Sequence, residues 1–501
     1  MKTALKSQTQ FDIEEATIAG VRAAIRNDTL TVRQLVQEYL DRIAAYDRHG
    51  PRINSIIRLN PEALADADRI DAVAAASSRQ KIGPLCGVPV LVKDNIETKG
   101  LATTAGSPLL KDNVPQDDAF IVKKLREAGA IILAKTNLHE LASGGETVST
   151  LIGQTLNPYD LSRTPGGSSG GTAAGIAANL GLLGIGSDGV NSIRSPASAN
   201  NLVGLRPTMG LISRTGLIPC GLTHDTIGPI TRTVTDTAIL LDVIAGYDRE
   251  DPSTHEASAH IPPTYTSFLD RDGMKGARIG ILTHFFGHKP QHQPVNSVMQ
   301  KALAILEQQG AALVAIDDPI NPDELLTSTL VHHYEMAQDL DAYLAKLPPN
   351  IMVRSLADIA ASGLVHPSVA GTLSTAMELG AKKIIYRERL QRQAALRHRL
   401  LDLMARHRID ALAFPHQRRL VVPIGETQSE RNGVLASATG FPSIAVPAGF
   451  SAPGPDAPLG VPVGIEFLGR PFSEAVLIRL AYAAEQAIQA RMAPHTTPAL
   501  G

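Results

Sequence analysis

Two glycine-rich loops carry the serines of this sequence best suited to chemistry. The first is Gly166-Gly167-Ser168-Ser169-Gly170, and the second runs from Gly184 through Gly186, Ser187, Asp188 and Gly189 to Val190, Asn191 and Ser192. A stretch of small residues between them reads as a helix. The first loop formally matches G-x-S-x-G, in which a strand runs directly into an exposed nucleophilic serine. Residues 157 to 165, Asn-Pro-Tyr-Asp-Leu-Ser-Arg-Thr-Pro, hold two prolines and several turn formers, so no strand feeds Ser168. The second loop formally matches G-x-G-x-x-G, and a dinucleotide site should then show an acidic residue about 20 positions further on. The first acid after Asp188 is Asp225, so that motif predicts no dinucleotide cofactor. A third reading joins both loops to Lys93, which closes the apolar run Gly87-Val88-Pro89-Val90-Leu91-Val92.

At these residues the sequence resembles the amidase signature family. The family's phrases stand as GVPVLVKDN at 87 to 95, AGAIILAKTNLHE at 128 to 140, TPGGSSGGTAAG at 164 to 175, SDGVNSIRSPA at 187 to 197 and TIGPITRTVTD at 226 to 236. TGFPSIAVPAGF and GVPVGIEFLGRPFSE follow near the C-terminus. They keep the family's order over most of the chain and are weakest between about 250 and 425. The resemblance implies a single large α/β domain, a central mixed β-sheet flanked by helices on both faces. It places the family's catalytic lysine on Lys93, its bridging serine on Ser168 and its nucleophile on Ser192. The 24-residue step between the two serines fits the signature without a gap. It also implies a cis peptide between Gly167 and Ser168, and neither a cofactor nor a metal.

Amide hydrolysis needs a nucleophile, a base, an acid for the departing nitrogen and donors for the oxyanion. In the arrangement the resemblance implies, Ser192 attacks while Ser168 takes its proton and passes its own to a neutral Lys93. Run backwards, the relay protonates the leaving nitrogen. Holding a lysine neutral near pH 7 requires a depression of roughly three units, about 4 kcal/mol. Burial among Val88, Val90, Leu91 and Val92 would supply it.

The chain departs from the family where two glycines usually precede the nucleophile and Val190 and Asn191 stand instead. The amides of Gly189, Val190, Asn191 and Ser192 remain the expected oxyanion donors, since a backbone N–H does not require glycine. A left-handed backbone there would suit asparagine and strain valine. Asp188 and Arg194 match positions expected to brace the loop, and Ser169 is expected to hydrogen-bond within its own. The substrate pocket is expected to draw on the stretch from about 250 to 425 and on Ser143, Gly144 and Gly145, with Phe285, Phe286 and Tyr334 as candidates for an apolar slot. The 15 histidines invite other readings. Pro290 interrupts the pair His288 and His292, the adjacent His332 and His333 should face apart, and no H-E-x-x-H occurs. His224-Asp225 could pose as part of a triad, but the phrase aligns with a structural turn of the family.

The elements that must position these residues are only partly legible. Residues 12 to 80 read as an N-terminal helical segment, with Thr31 and Gln34 forming a capping box, so residues 1–80 are expected to pack on a domain formed by 81–501. From Gly83 the pattern alternates strand and helix: a strand at 88 to 92, a helix at 119 to 128 closed by Gly129, and a strand at 131 to 134. Helix-turn-strand phrases recur at 298 to 316 and 394 to 414. Such alternation predicts an α/β architecture. Residues 248 to 276 read as a surface excursion, and 447 to 463 as the long loop of a hairpin between strands at 443 to 446 and 463 to 467.

Composition narrows the partners. Of the 501 residues 47 are basic and 49 acidic, which gives no footprint for nucleic acid or an anionic membrane. The expected partner is a small, roughly neutral amide, and a homodimer is compatible with the reading. Two cysteines and no apolar run of membrane length fit a reducing cytoplasm. The expected function is an amidase acting on a carboxamide, an anilide or a similar acyl–nitrogen bond. The alternatives are the glutamine-hydrolysing subunit of a tRNA-dependent amidotransferase and a non-catalytic scaffold that keeps the fold.

Overall fold

The structure is a computed structural model and describes residues 11–76 and 83–500. Its first helices form where the sequence places them. Ile18–Arg26 buries Ile18, Val21 and Ile25. Val32–Arg42 opens on the Thr31–Gln34 capping box, with the Thr31 hydroxyl accepting from the Gln34 N–H and the Gln34 side chain accepting from the Thr31 N–H. The helical reading of 12 to 80 needs one correction, because Ile56–Leu59 is a strand (β1) that joins the main sheet. The expected boundary between residues 80 and 81 lies outside the described residues.

The other strands are β2 Pro89–Lys93, β3 Ile131–Thr136, β4 Val148–Ser149, β5 Gly153–Gln154, β6 Leu183–Asp188, β7 Val203–Arg206, β8 Thr226–Thr231, β9 Arg278–Leu282, β10 Ala312–Ile316, β11 Ala411–Pro415, β12 Ser443–Phe450 and β13 Pro462–Leu468. β4 and β5 pair with each other. The rest form one sheet of 11 strands in the order β1-β3-β2-β6-β8-β7-β12-β13-β11-β9-β10. The sheet is mixed. β3-β2-β6 and β11-β9-β10 are parallel sets, and the middle, from β6 through β8, β7, β12 and β13 to β11, is antiparallel. Every residue of β2, β3, β6, β8, β11 and β13 is buried, as strands are when helices cover both faces of a sheet. The helix Phe120–Glu127, the hairpin β12–β13 and the helices preceding β10 and β11 stand where the sequence predicts them.

The candidate residues gather at the ends of inner strands of this sheet. β2 and β6 are parallel neighbours, and Lys93 and Asp188 close them, so both side chains leave from the carboxyl end, where sheets of this class open their crevices.

Candidate active site

Lys93 is fully buried. Its Nζ lies 2.7 Å from Ser168 Oγ, 2.8 Å from Ser187 Oγ and 3.3 Å from the Ser187 carbonyl oxygen. Burial pushes the amine from its ordinary 10.5 down to about 7, with Asp225 and Asp188 pulling the other way. Asn95 donates to the same Ser187 hydroxyl (3.0 Å). Neither Ser187 nor Asn95 stands out in the sequence as a site residue, and the one local signal is their place at the ends of the runs that carry Asp188 and Lys93.

Ser168 follows a cis peptide from Gly167. A Cβ on Gly167 would come within 2.7 Å of the Gly145 backbone, so the approach of these two segments requires glycine. The Ser168 carbonyl accepts from the His139 N–H (3.0 Å). Ser169 ties the two loops together: its N–H donates to the Ser192 carbonyl (3.2 Å) and its hydroxyl to the Ser187 carbonyl (3.1 Å).

Ser192 is 9% exposed, and its hydroxyl has no hydrogen-bond partner among the described residues. It opens into a cavity of about 330 Å3 that Ser187, Gly189, Val190 and Asn191 also line. Among the described residues, the N–H groups of Gly189, Val190, Asn191 and Ser192 find no protein acceptor, whereas the next one, Ile193, donates to the Asp188 carboxylate (3.0 Å). None of the three residues before Ser192 is left-handed, so valine is accommodated without strain. The Val190 side chain packs on an apolar cluster with Phe414 and Val434, and Asn191 Oδ1 accepts from Arg431 (3.0 Å).

A wholly buried ionic network holds this loop. Asp188 receives Arg194 (3.1 Å) and Arg206 (2.8 Å), Arg194 also pairs with Glu466, and Glu466 accepts from His416 (2.6 Å). Arg194 further donates to the carbonyls of Val190 (2.7 Å) and Gly433 (3.0 Å). Burial alone would raise both carboxylates, but the facing guanidinium groups outweigh it, holding Asp188 well below the usual range and Glu466 at about 2.

The far wall comes from the stretch least like the family, through Leu326, Leu330, His332, His333, Thr372 and Arg389, with Ser143, Gly144 and Arg431 beside them. Gly145 stands behind this wall, where any side chain would meet the Arg431 guanidinium. Two expectations are corrected here. His332 and His333 both line the cavity, their ring centroids 4.0 Å apart, because adjacent residues on a helix diverge by about 100° rather than facing opposite ways. The slot of Phe285, Phe286 and Tyr334 does not form at the cavity. Phe285 is drawn into the core against Phe414 (4.8 Å between centroids), Phe286 faces a separate groove of about 530 Å3, and Tyr334 lies under Arg389. His224 is buried and structural. It accepts from the Val331 N–H (3.0 Å) through Nε2, which leaves the Nδ1 proton for the Ser437 carbonyl (3.1 Å). Its neighbour Asp225, by contrast, lines the cavity.

The Amidase family profile matches residues 34–478. The chain belongs to the amidase family. This amidase is 36% identical over 509 aligned residues to a probable amidase of Arabidopsis thaliana, covering 98% of this chain and 93% of that one. It is 35% identical to a glutamyl-tRNA(Gln) amidotransferase subunit of Moorella thermoacetica, over 90% of this chain and 92% of the relative. The native peptide amidase of Stenotrophomonas maltophilia superimposes with a TM-score of 0.87 at 36% identity, over 97% of this chain and 100% of that structure. The amidase is thus an amidohydrolase acting on C–N bonds. Among the described residues no helix is long and apolar enough to cross a membrane.

Proposed function

We propose that this amidase hydrolyses a carboxamide, or a related acyl–nitrogen bond such as an anilide, through an acyl-enzyme on Ser192, with Ser168 and a neutral Lys93 as the proton relay. The hydrogen bonds of the lysine carry the reading. A neutral amine has two N–H groups and one lone pair. The Ser187 carbonyl and hydroxyl take the two N–H groups, which leaves the lone pair for the Ser168 proton at 2.7 Å. Ser168 Oγ is then free to accept from Ser192.

As Ser192 Oγ bonds to the acyl carbon, its proton moves to Ser168 and the Ser168 proton to Lys93. The oxyanion meets the unpartnered N–H groups of residues 189 to 192. Collapse breaks the C–N bond while the relay returns a proton to the departing nitrogen. Water, activated by the same relay, then cleaves the acyl-enzyme and releases the acid. In this reading Asp188 and Arg194 hold the loop and Ser169 holds the two serine segments in register. Ser143 and Gly144 line the substrate's cavity. The substrate is a small amide, and the two buried free thiols, Cys86 and Cys220, agree with a reducing cytoplasm.

The test is labelling of the purified chain by a fluorophosphonate, read with ammonia or amine release. Labelling should disappear in Ser192→Ala, and turnover should fall by at least about a thousandfold in Ser192→Ala and Lys93→Ala while both variants stay folded. Near-normal turnover at neutral pH in Lys93→Ala sinks the relay. The second reading, glutamine hydrolysis within an amidotransferase, is motivated by the relative from Moorella thermoacetica. It requires glutaminase activity that depends on partner chains, and amide hydrolysis by the chain alone speaks against it.

A further inference from the structure

We propose that Asp225 accepts an N–H of the scissile amide nitrogen and thereby selects primary carboxamides; the proposal rests on the Ser192 reading above. Asp225 stands immediately before β8, whose Thr226 pairs with Asp188 of β6, so it faces the start of the nucleophile loop across that strand pair. Its two oxygens differ. Oδ2 accepts from the N–H groups of Cys220 (2.7 Å) and Gly221 (2.9 Å). Oδ1 has no donor among the described residues, and the side chain lines the cavity that holds Ser192. A Cβ on Gly189 would lie 2.8 Å from Oδ1 and meet nothing else within 4 Å, so this oxygen sits directly over the first residue of the oxyanion loop.

Asp225 is only 4% exposed and that exposure is to the cavity, so the donor that pairs Oδ1 is one that enters the cavity. Of the two cations that act on it, Arg214 is paired with Asp251 (2.7 Å) and Lys93 is spent on Ser168 and Ser187, so neither donates to this oxygen. Arg389 and Arg431, the charged side chains of the far wall, can only donate. The position of Oδ1 then sets which nitrogen fits. With the carbonyl oxygen of the substrate among the N–H groups of residues 189 to 192, a primary amide directs one N–H to the same side as that oxygen, toward a group beside the hole. A trans secondary amide holds its only N–H on the opposite side, and an ester has none.

The test uses the full chain with hexanamide and N-acetylleucinamide, each beside its N-methylamide and its methyl ester, at about pH 8, where Asp225 is ionised because burial lifts it only to about 6. In the wild type, kcat/KM should favour each primary amide over its N-methylamide by at least about thirtyfold. Asp225→Asn keeps an oxygen for Cys220 and Gly221 but turns an NH2 toward the substrate. It should lower kcat/KM on the primary amides by about thirtyfold or more and leave the esters within about threefold. Equal losses on amide and ester would assign Asp225 to Lys93 or to the loop and overturn the proposal. An unchanged amide rate, or no turnover of either primary amide, also overturns it. Circular dichroism checks the fold of the variant, and should it fail to fold, the wild-type comparison decides alone: equal rates on primary and N-methyl amides refute the selection. Retention of turnover by Ser192→Ala would instead sink the nucleophile reading, a separate outcome.

Discussion

At the scale of single residues, Lys93 is the most consequential group because its chemistry and its stability cost have one cause. Burial carries its folded-state pKa from 10.5 to about 7, so between those values the unfolded chain binds the extra proton and stability rises with pH. At neutral pH the lysine therefore costs the fold roughly 4 kcal/mol. Two outcomes are expected. The kcat/KM of the wild type should climb through about pH 7 and level off above it, as the proposed relay gains its neutral amine. Lys93→Met should be inactive, yet at pH 7 it should resist urea better than the wild type by about 1–3 kcal/mol, part of the gain being offset because methionine cannot hydrogen-bond Ser168 and Ser187 as the amine does. The gain should shrink as pH approaches 10.5, where the unfolded lysine also loses its proton. A flat activity profile from pH 6 to 9, or a variant less stable at every pH, contradicts this account.

At the scale of elements, the loop that carries the proposed nucleophile is held less by its own sequence than by Arg194, which joins the end of β6 to β13 through Asp188 and Glu466. Removing a guanidinium from between two buried carboxylates leaves uncompensated charge, so Arg194→Met should cost about 3–5 kcal/mol by chemical denaturation. Arg194→Lys should rescue little, because an ammonium cannot reach Asp188, Glu466 and the Val190 and Gly433 carbonyls together. Full stability in the lysine variant would show that charge alone, and not the fork, holds the loop. The same network shows where sequence reading stops. Asp188 and Arg194 are six residues apart and can be paired from the sequence, but Glu466 is 272 residues from Arg194 and carries no local signal. β1 escapes sequence reading for a related reason: Ile56–Leu59 is a four-residue edge strand that, among the described residues, pairs with β3 alone, inside a segment of helical periodicity. Long apolar runs with a clear turn, such as β2 and the β12–β13 hairpin, are legible because their burial and their punctuation are both local.

At the scale of the molecule, the cavity is framed by the main core, by the cluster of Phe414 and Val434 that takes Val190, Leu326 and Leu330, and by a further cluster under the helix that carries His332 and His333. Lys93 and the two serine loops stand on the main core, through Val90, Leu91, Val92, Ile185 and Ile193. His332 and His333 begin the helix His332–Leu344, whose Met336, Leu340 and Leu344 belong to a distinct apolar cluster shared with Val369, Leu373 and Ala376 of Pro367–Gly380, the helix that carries Thr372. Which side chains of these two helices meet the cavity is not legible in the sequence, because the face that each presents is decided by that cluster. The division makes a kinetic prediction. Leu340 is fully buried, and Leu340→Ala should cost about 2–5 kcal/mol, spent on the cluster of Met336, Leu344 and Leu373 rather than on the sheet. The wall should then open more often, so amide hydrogen exchange over residues 367 to 380 should speed up while that of β2 and β6 stays slow. Because the proposed relay is anchored elsewhere, KM should rise about fivefold or more with kcat held within about threefold. A fall in kcat at unchanged KM would mean that the cluster of Leu340 and the main core move as one and that the far wall helps to set the geometry of Ser192.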